Sequence, residues 1–164
     1  MKFSSIPVHG VSSTEELHKE SEGAHVPPIY QTSTFLFEDV AQGGRAFSEP
    51  DHAGSHIYTR ISNPNNNALE KAITALECYE SKVDDYTSMV FGTGMAAISS
   101  SLMALAKKGR VLAQDALYGC SSQLLFEQAP EWGIEATFLD FTDLDSFEEA
   151  LISYDDIKVV YMES

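Results

Sequence analysis

The fold is decided by residues 86–114, whose sequence is YTSMVFGTGMAAISSSLMALAKKGRVLAQ. The run Tyr86–Phe91 predicts a strand, the apolar residues of Met95–Ala106 predict a helix, and Arg110–Gln114 predicts a second strand. Parallel strands need a crossover connection of a dozen or more residues, which is usually a helix. The segment therefore predicts a parallel sheet.

The same alternation continues to the end of the chain. Further helices are predicted at Ser121–Gln128 and near Leu144–Ile152, and further strands at Ile134–Leu139 and Ile157–Met162. Strands that alternate with helices at this spacing predict the α/β class, with a four-stranded parallel sheet covered on both faces. Ligand-binding loops of such sheets begin where the strands end. Because the chain stops at Ser164, just after its last strand, we expect it to be truncated.

The N-terminal part of the chain has a different character. Residues 1–62 contain several prolines and glycines and no sustained helical period, which predicts a mostly irregular arm that lies on its own domain or on another subunit. Within it, Ile29–Phe37 is rich in β-branched and aromatic residues and predicts an extended piece. Pro64 suits the first turn of a helix whose apolar stripe reaches Leu76. We therefore expect an arm over residues 1–62 and an α/β domain over residues 63–164.

Composition narrows the class of function. The 164 residues are 43% hydrophobic and 21% charged, which is typical of a soluble folded domain. With 10 basic against 25 acidic residues the net charge is −15, which disfavours nucleic acid and membrane surfaces as partners. No apolar run suits a membrane span or a signal peptide, so we expect a cytoplasmic protein. Cys78 and Cys120 lie in no CxxC or Cys/His cluster, so free thiols and no metal site are predicted.

The glycine turn Gly92–Ala97 is the sharpest local candidate for a binding site. It stands between a predicted strand and a predicted helix, where main-chain amides and the helix dipole favour a phosphate. Gly92, Gly94 and Ala97 fit a GxGxxA pattern, and Asp115 closes the next strand where a dinucleotide-binding fold places its ribose ligand. A small NAD-binding domain is therefore one hypothesis. A turn that only packs a helix on a sheet is another.

Five ordered motifs favour a different phosphate-bearing cofactor. They are PPIYQTSTF at residues 27–35, YTRISNP at 58–64, GMAAI at 94–98, LYGC at 117–120 and YMES at 161–164. Together they resemble the fold-type I pyridoxal phosphate-dependent enzymes of cysteine and methionine metabolism, the trans-sulfuration family of methionine gamma-lyase, cystathionine gamma-lyase and cystathionine gamma-synthase. The resemblance spans almost the whole chain and corresponds to the N-terminal part of such an enzyme.

The resemblance implies roles for particular residues. Gly94 and Met95 match positions whose main-chain amides hold the cofactor phosphate. Tyr118 matches a catalytic aromatic residue that stacks on the pyridine ring and passes a proton. Tyr58 and Arg60 match a pair that reaches the cofactor phosphate of a neighbouring subunit, so assembly as a homodimer or homotetramer is implied.

The resemblance also implies a substrate class, and one departure from it stands out. The family acts on sulfur-containing amino acids as a C–S lyase or a gamma-replacement transferase. Cys120 matches a substrate-proximal position that favours methionine gamma-lyase, although a small buried side chain at a helix start is an equal alternative. None of the seven lysines lies in the Ser-x-Thr-Lys run that binds the cofactor in the family. We therefore expect this chain alone to be inactive, and a non-catalytic remnant or interaction module of the fold is the competing hypothesis.

Overall fold

The computed structural model describes residues 2–6, 21–48, 55–80 and 86–164, which fall into two compact units, residues 1–90 and 91–164. The described part of the first unit contains a 3-10 turn, Phe3–Ser5, and two α-helices, α1 at Val40–Ser48 and α2 at Pro64–Glu77. The second contains helices α3, α4 and α5 at Gly94–Leu105, Gly119–Gln123 and Leu144–Ser153, and strands β1, β2 and β3 at Arg110–Gln114, Glu135–Leu139 and Ile157–Tyr161. The predicted α/β class is confirmed.

Strand β1 is the centre of the sheet. The strand order is β2-β1-β3, and both neighbours run parallel to β1. In register, Leu112 lies beside Thr137 of β2 and Val160 of β3. Val111, Leu112 and Ala113 are completely buried. A continuous apolar run is typical of a parallel strand covered on both faces.

The core lies between one face of this sheet and the helices packed on it. Helix α3 contributes a stripe of Met95, Ile98 and Leu102, which helical geometry places on one side. This stripe packs in one cluster with Val111 and Ala113 of β1 and with buried residues after α4. Helix α4 lies in the connection from β1 to β2, and α5 lies in the connection from β2 to β3, which runs across the sheet in the opposite direction.

Both connections join parallel strands and are therefore right-handed. Two right-handed connections that run in opposite directions place their helices on opposite faces, so α5 lies on the face opposite α4.

The predicted helix at Ser121–Gln128 is helical throughout but is not one regular α-helix. After α4 the chain continues as a π-helical turn, Leu124–Gln128, and a 3-10 turn, Ala129–Trp132. Gly133 then adopts a left-handed conformation with φ 73°, and its N–H donates to the carbonyl of Pro130 at 2.9 Å. A glycine tolerates this conformation at a helix end without steric cost.

The strand predicted at Tyr86–Phe91 is wrong, and the sheet of the described residues has three strands instead of four. The polar groups of this segment bond to side chains of α2. The N–H of Val90 donates to the Glu70 carboxylate at 3.0 Å, and the hydroxyls of Thr74 and Ser88 lie 2.8 Å apart. These contacts replace strand pairing, which periodicity alone does not reveal.

Helix α1, in the N-terminal arm, is a second element that the sequence pattern does not predict. Asp39 and Gln42 stabilise its start, since Asp39 Oδ1 accepts from the Gln42 N–H at 2.7 Å and Gln42 Oε1 accepts from the Glu38 N–H at 2.6 Å. This arrangement is a variant of the capping box. Two adjacent glycines inside the helix interrupt the apolar period and have low helix propensity, so the sequence pattern does not indicate a helix here. Among the described residues of the arm, residues 27–37 contain no helix and make one isolated bridge, between Thr34 and Tyr58, which agrees with the extended piece predicted there.

Arg110 ties the three strands together at the edge where they begin. Its Nη2 lies 2.5 Å from Glu135 Oε2, its Nε lies 3.0 Å from Asp156 Oδ1, and its Nη1 donates to Thr137 Oγ1 at 3.0 Å. The guanidinium carbon also lies 4.2 Å from the ring centre of Tyr154. The planar guanidinium spreads its donors over three nitrogen atoms and so reaches three separate partners, whereas lysine holds all its donors on one nitrogen.

We expect Arg110→Lys to lower the free energy of unfolding by about 1–2 kcal/mol, because it removes charge-assisted hydrogen bonds that are partly screened by solvent. Lys107→Arg is the matched control, since Lys107 is exposed, and it should change the value by less than about 0.5 kcal/mol. Thermal unfolding of both variants measures the difference. Equal stability of the two would contradict a tethering role for Arg110.

Candidate active site

The carboxyl ends of β1 and β3 bring two separated loops together. Tyr118 follows β1, Glu163 follows β3, and the two strands are neighbours in the sheet. One Glu163 carboxylate oxygen accepts from the main-chain N–H of Tyr118 at 2.7 Å. The other accepts from the hydroxyls of Ser121 at 2.5 Å and Tyr161 at 2.6 Å. Ligands of open α/β sheets bind at this edge.

Glu163 stays ionised at neutral pH. The hydrogen bonds from Ser121, from Tyr161 and from the Tyr118 N–H lower the pKa of its carboxyl group below the ordinary value. Each donor stabilises the charged form more than the neutral one. The sequence singled out Tyr161–Ser164 as a motif but assigned Glu163 no role. Its position directly after a buried strand was the available signal.

The glycine turn before α3 presents free amides. Thr93 is the N-cap of α3, and its Oγ1 accepts from the Ala96 N–H at 3.1 Å while its carbonyl accepts from the Ala97 N–H at 3.2 Å. Within the ranges that the structure describes, the N–H groups of Gly94 and Met95 have no acceptor. A Cβ added at Gly94 would meet no atom within 4 Å. The turn therefore fits an anion such as a phosphate.

This turn belongs to the same edge of the sheet as Tyr118. Helix α3 ends at Leu105, and a four-residue turn joins it to Arg110 at the start of β1. The helix therefore runs back along the sheet, antiparallel to β1. Twelve helical residues span about 18 Å, which is close to the length of a five-residue strand, so the start of α3 lies near the end of β1.

Tyr118 and Cys120 lie within hydrogen-bond distance of each other on this edge. Tyr118 is 63% exposed, and Cys120 is exposed in the first turn of α4. The alternative that Cys120 is a small buried side chain is therefore wrong. A hydrogen bond with Cys120, and then its charge, raise the pKa of the Tyr118 hydroxyl above the ordinary value. At neutral pH this hydroxyl is therefore protonated.

Tyr58 and Arg60 lie in the first unit, in an open groove of about 900 Å³. The Arg60 guanidinium carbon lies 5.3 Å from the centre of the Tyr58 ring. Among the described residues Arg60 makes no ion pair, because both ion pairs found there belong to Arg110. A guanidinium without a carboxylate partner is available for an anion such as a phosphate.

Two asparagines at the start of α2 shape this groove. Asn63 donates from Nδ2 to the carbonyl of Tyr30 at 3.0 Å, and its Oδ1 accepts from the Asn65 N–H at 2.9 Å. Asn65 accepts from the Tyr30 N–H at 2.8 Å and donates to the carbonyl of Pro28 at 2.7 Å. The extended segment that begins at Pro28 is thereby fixed against the helix start. The conspicuous Asn-Pro-Asn sequence at residues 63–65 is thus structural.

The dinucleotide hypothesis receives mixed support from the geometry. Asp115 follows β1 as expected, is exposed, and donates its N–H to the carbonyl of Leu139 at 2.9 Å. The GxGxxA pattern, however, indicates a dinucleotide site only where a strand precedes the turn, and residues 86–91 form none.

No metal-binding cluster and no helix able to cross a membrane occur in the described part of the chain.

Comparison with known proteins identifies the family. Residues 9–164 match the family described as Cys/Met metabolism PLP-dependent enzyme. The chain belongs to this family. It is 41% identical over 147 residues to an L-methionine gamma-lyase of Fusobacterium nucleatum subsp. polymorphum, with 89% of this chain and 35% of that protein covered. It is 30% identical to a cystathionine gamma-lyase of Bacillus subtilis, with 100% of this chain and 38% of that protein covered.

A solved structure supports the same assignment. An O-acetylhomoserine (thiol)-lyase of Campylobacter jejuni, crystallised with pyridoxal phosphate joined to a lysine, superimposes with a TM-score of 0.83 at 25% identity, with 100% of this chain and 37% of that chain covered. The chain therefore spans about a third of the length of the curated relatives it matches. The family resemblance, its fold and its cofactor are confirmed. Family membership favours pyridoxal phosphate over a dinucleotide.

The hydrogen-bonded carboxylate of Glu163 makes the free energy of unfolding depend on pH. A carboxyl whose pKa is lowered by folding stabilises the protein above its unfolded pKa of about 4.3, and this stabilisation is lost as the pH falls through the lower folded value. The stability difference between the wild type and Glu163→Gln should be constant near neutral pH and shrink below pH about 4. Urea unfolding across this range measures it. A difference that does not change with pH would contradict the hydrogen-bonded carboxylate.

Proposed function

We propose that this chain is the N-terminal portion of a pyridoxal phosphate-dependent trans-sulfuration enzyme that acts on sulfur-containing amino acids. The observation that carries the proposal is the pair of free amides at Gly94 and Met95, on the same sheet edge as Tyr118, in a chain of this family. The relatives named above support a C–S lyase of the methionine gamma-lyase or cystathionine gamma-lyase type, or a gamma-replacement enzyme. A cytoplasmic location remains a prediction.

Each residue in this proposal has a distinct task. The cofactor, when bound, supplies an electron sink for carbanions of the amino-acid substrate. Gly94 and Met95 hold its phosphate with their main-chain N–H groups. Tyr118 places its ring against the cofactor, and its hydroxyl, which is protonated at neutral pH, serves as the proton donor to the leaving sulfur. Cys120 lies next to the substrate, where its exposed thiol contributes to specificity.

We further propose that two copies of the chain complete one site. In the family resemblance, Tyr58 and Arg60 serve the cofactor phosphate of a neighbouring subunit, and the open groove that holds them leaves the Arg60 charge accessible. The first unit also exposes large apolar side chains, among them Ile29, Leu36 and Val40, which favours burial against a partner. An arm over residues 1–62 that wraps the partner, in a homodimer or homotetramer, agrees with both features.

A second candidate is a non-catalytic interaction module of the same fold. It is favoured by the sequence of residues 1–164, in which no lysine lies in a Ser-x-Thr-Lys run. We propose that the lysine that binds the cofactor is not supplied by these residues and that they do not complete a reaction alone. Turnover of methionine or cystathionine by the native protein, with pyridoxal phosphate present, supports the enzyme, whereas cofactor binding without turnover of any sulfur amino acid supports the module.

Gly94 allows a sharp test of the phosphate site. Proline at the first helical position is well tolerated, and Thr93 already has the extended conformation, φ −149° and ψ 155°, that a following proline requires. Gly94→Pro removes the amide donor, whereas Gly94→Ala keeps it, and both add a Cβ at the same place. We expect pyridoxal phosphate to bind about tenfold more weakly to Gly94→Pro than to Gly94→Ala. Equal affinities, with equal thermal stability, would refute the phosphate role of this amide.

Mixing two variants tests whether the site is shared between copies. Arg60→Met and Gly94→Pro should each weaken cofactor binding at every site. In assemblies formed by co-expression of both variants, a shared site combines an intact Gly94 from one copy with an intact Arg60 from the other. We expect tight binding to return at about one site in four, as random two-fold pairing requires. If all sites stay weak in verified mixed assemblies, Arg60 and Gly94 do not come from different copies.

A further inference from the structure

The position of the Tyr118 side chain is set mainly by the main chain that carries it, because the side chain itself is largely exposed. Its side chain is 63% exposed, and it stands at the N-cap of α4, which has only five α-helical residues. The starts of α2, α3 and α5 are capped by side chains of their own N-cap residues, Asn63, Thr93 and Asp143, whereas α4 has no such cap. Something outside the helix must fix its start.

The Glu163 carboxylate supplies that fixation from the neighbouring strand. It accepts from the Tyr118 N–H and from the hydroxyl of Ser121, which is completely buried in the first turn of α4. Its third donor, the Tyr161 hydroxyl, holds the carboxylate against its own strand. An ionised carboxylate only accepts hydrogen bonds, so it suits three convergent donors, whereas an amide of the same shape brings two donors of its own.

A second contact joins the same two loops. Gln114, the last residue of β1, accepts from the Glu163 N–H at 3.4 Å through Oε1 and donates from Nε2 to the carbonyl of Ala116 at 2.9 Å. The main chain on both sides of Tyr118 is thereby linked to the end of β3. Hydrogen bonds to a charged group are among the stronger ones in proteins, and those of Glu163 dominate this link.

We propose that Glu163 is a positioning residue that fixes the main chain of Tyr118 and thereby aims its ring and hydroxyl at the cofactor. The inference rests on the proposed cofactor role of Tyr118. Glu163 touches neither cofactor nor substrate in this account. Its loss leaves the Tyr118 side chain chemically intact but displaces the helix start that carries it.

Amide hydrogen exchange in the native protein tests the positioning itself, without reference to the cofactor. In Glu163→Gln the Tyr118 amide should exchange about tenfold faster, while the amide of Leu112 in the central strand keeps its rate. Glu131→Gln is the matched control, because the same change is made on an exposed side chain of the same unit, and it should alter neither rate. If the exchange rates of the Tyr118 and Leu112 amides rise equally, or if neither rises, Glu163 does not specifically fix the main chain of Tyr118.

A double-mutant cycle tests whether the positioning serves the cofactor. Affinity for pyridoxal phosphate is measured for the wild type, Glu163→Gln, Tyr118→Ala and the double variant. Glu163→Gln should weaken binding several-fold in the wild type and not at all when Tyr118 is already absent, because it acts through that ring. Additive losses would overturn the proposal. A wild type that binds no pyridoxal phosphate would overturn the proposed function instead, and hydrogen exchange would still decide the positioning.

Discussion

Parallel pairing of β1 on both of its edges is the constraint on which the second unit depends. The three buried residues Val111–Ala113 leave this strand no place at a surface, so β2 and β3 must flank it and all three must end at one edge. The right-handed connections then distribute the helices over both faces. Since α3 returns along β1, its free amides come to the edge at which Tyr118 and Glu163 lie.

The distribution of positive charge matches this architecture. The chain carries a net charge of −15, and Arg110 is neutralised by Glu135 and Asp156 at the opposite edge of the sheet. Arg60 has no such carboxylate among the described residues and lies in an open groove. The other described lysines and arginines, Arg110 excepted, also lack a carboxylate partner, so it is the place of Arg60 in the groove beside Tyr58 that favours it for an anionic ligand. One arginine thus stabilises the sheet while another is free to bind.

Much of the fold follows from local sequence. The apolar runs at Arg110–Gln114 and Ile157–Tyr161 are strands as predicted, and the helix opened by Pro64 begins at that residue. The predictions fail where hydrogen bonds between side chains and main chain far apart in sequence determine the local structure. The segment before Phe91 is held by Glu70, and the start of α4 is held by Glu163, 45 residues after Tyr118. Apolar periodicity carries no information on such polar contacts.

The candidate site was predictable to a similar extent. Gly94 and Tyr118 were singled out by motifs, and the sheet brings the two elements that carry them to one edge. We propose that the phosphate of pyridoxal phosphate binds at the start of α3 and that Arg60 of a second copy completes its binding site. A crystal structure of the native protein with pyridoxal phosphate bound tests it most directly. We predict phosphate oxygens about 3 Å from the amide nitrogens of Gly94 and Met95, with the guanidinium of Arg60 contributed by another copy. A phosphate bound away from the start of α3, or contacted by Arg60 of the same copy, would contradict the account.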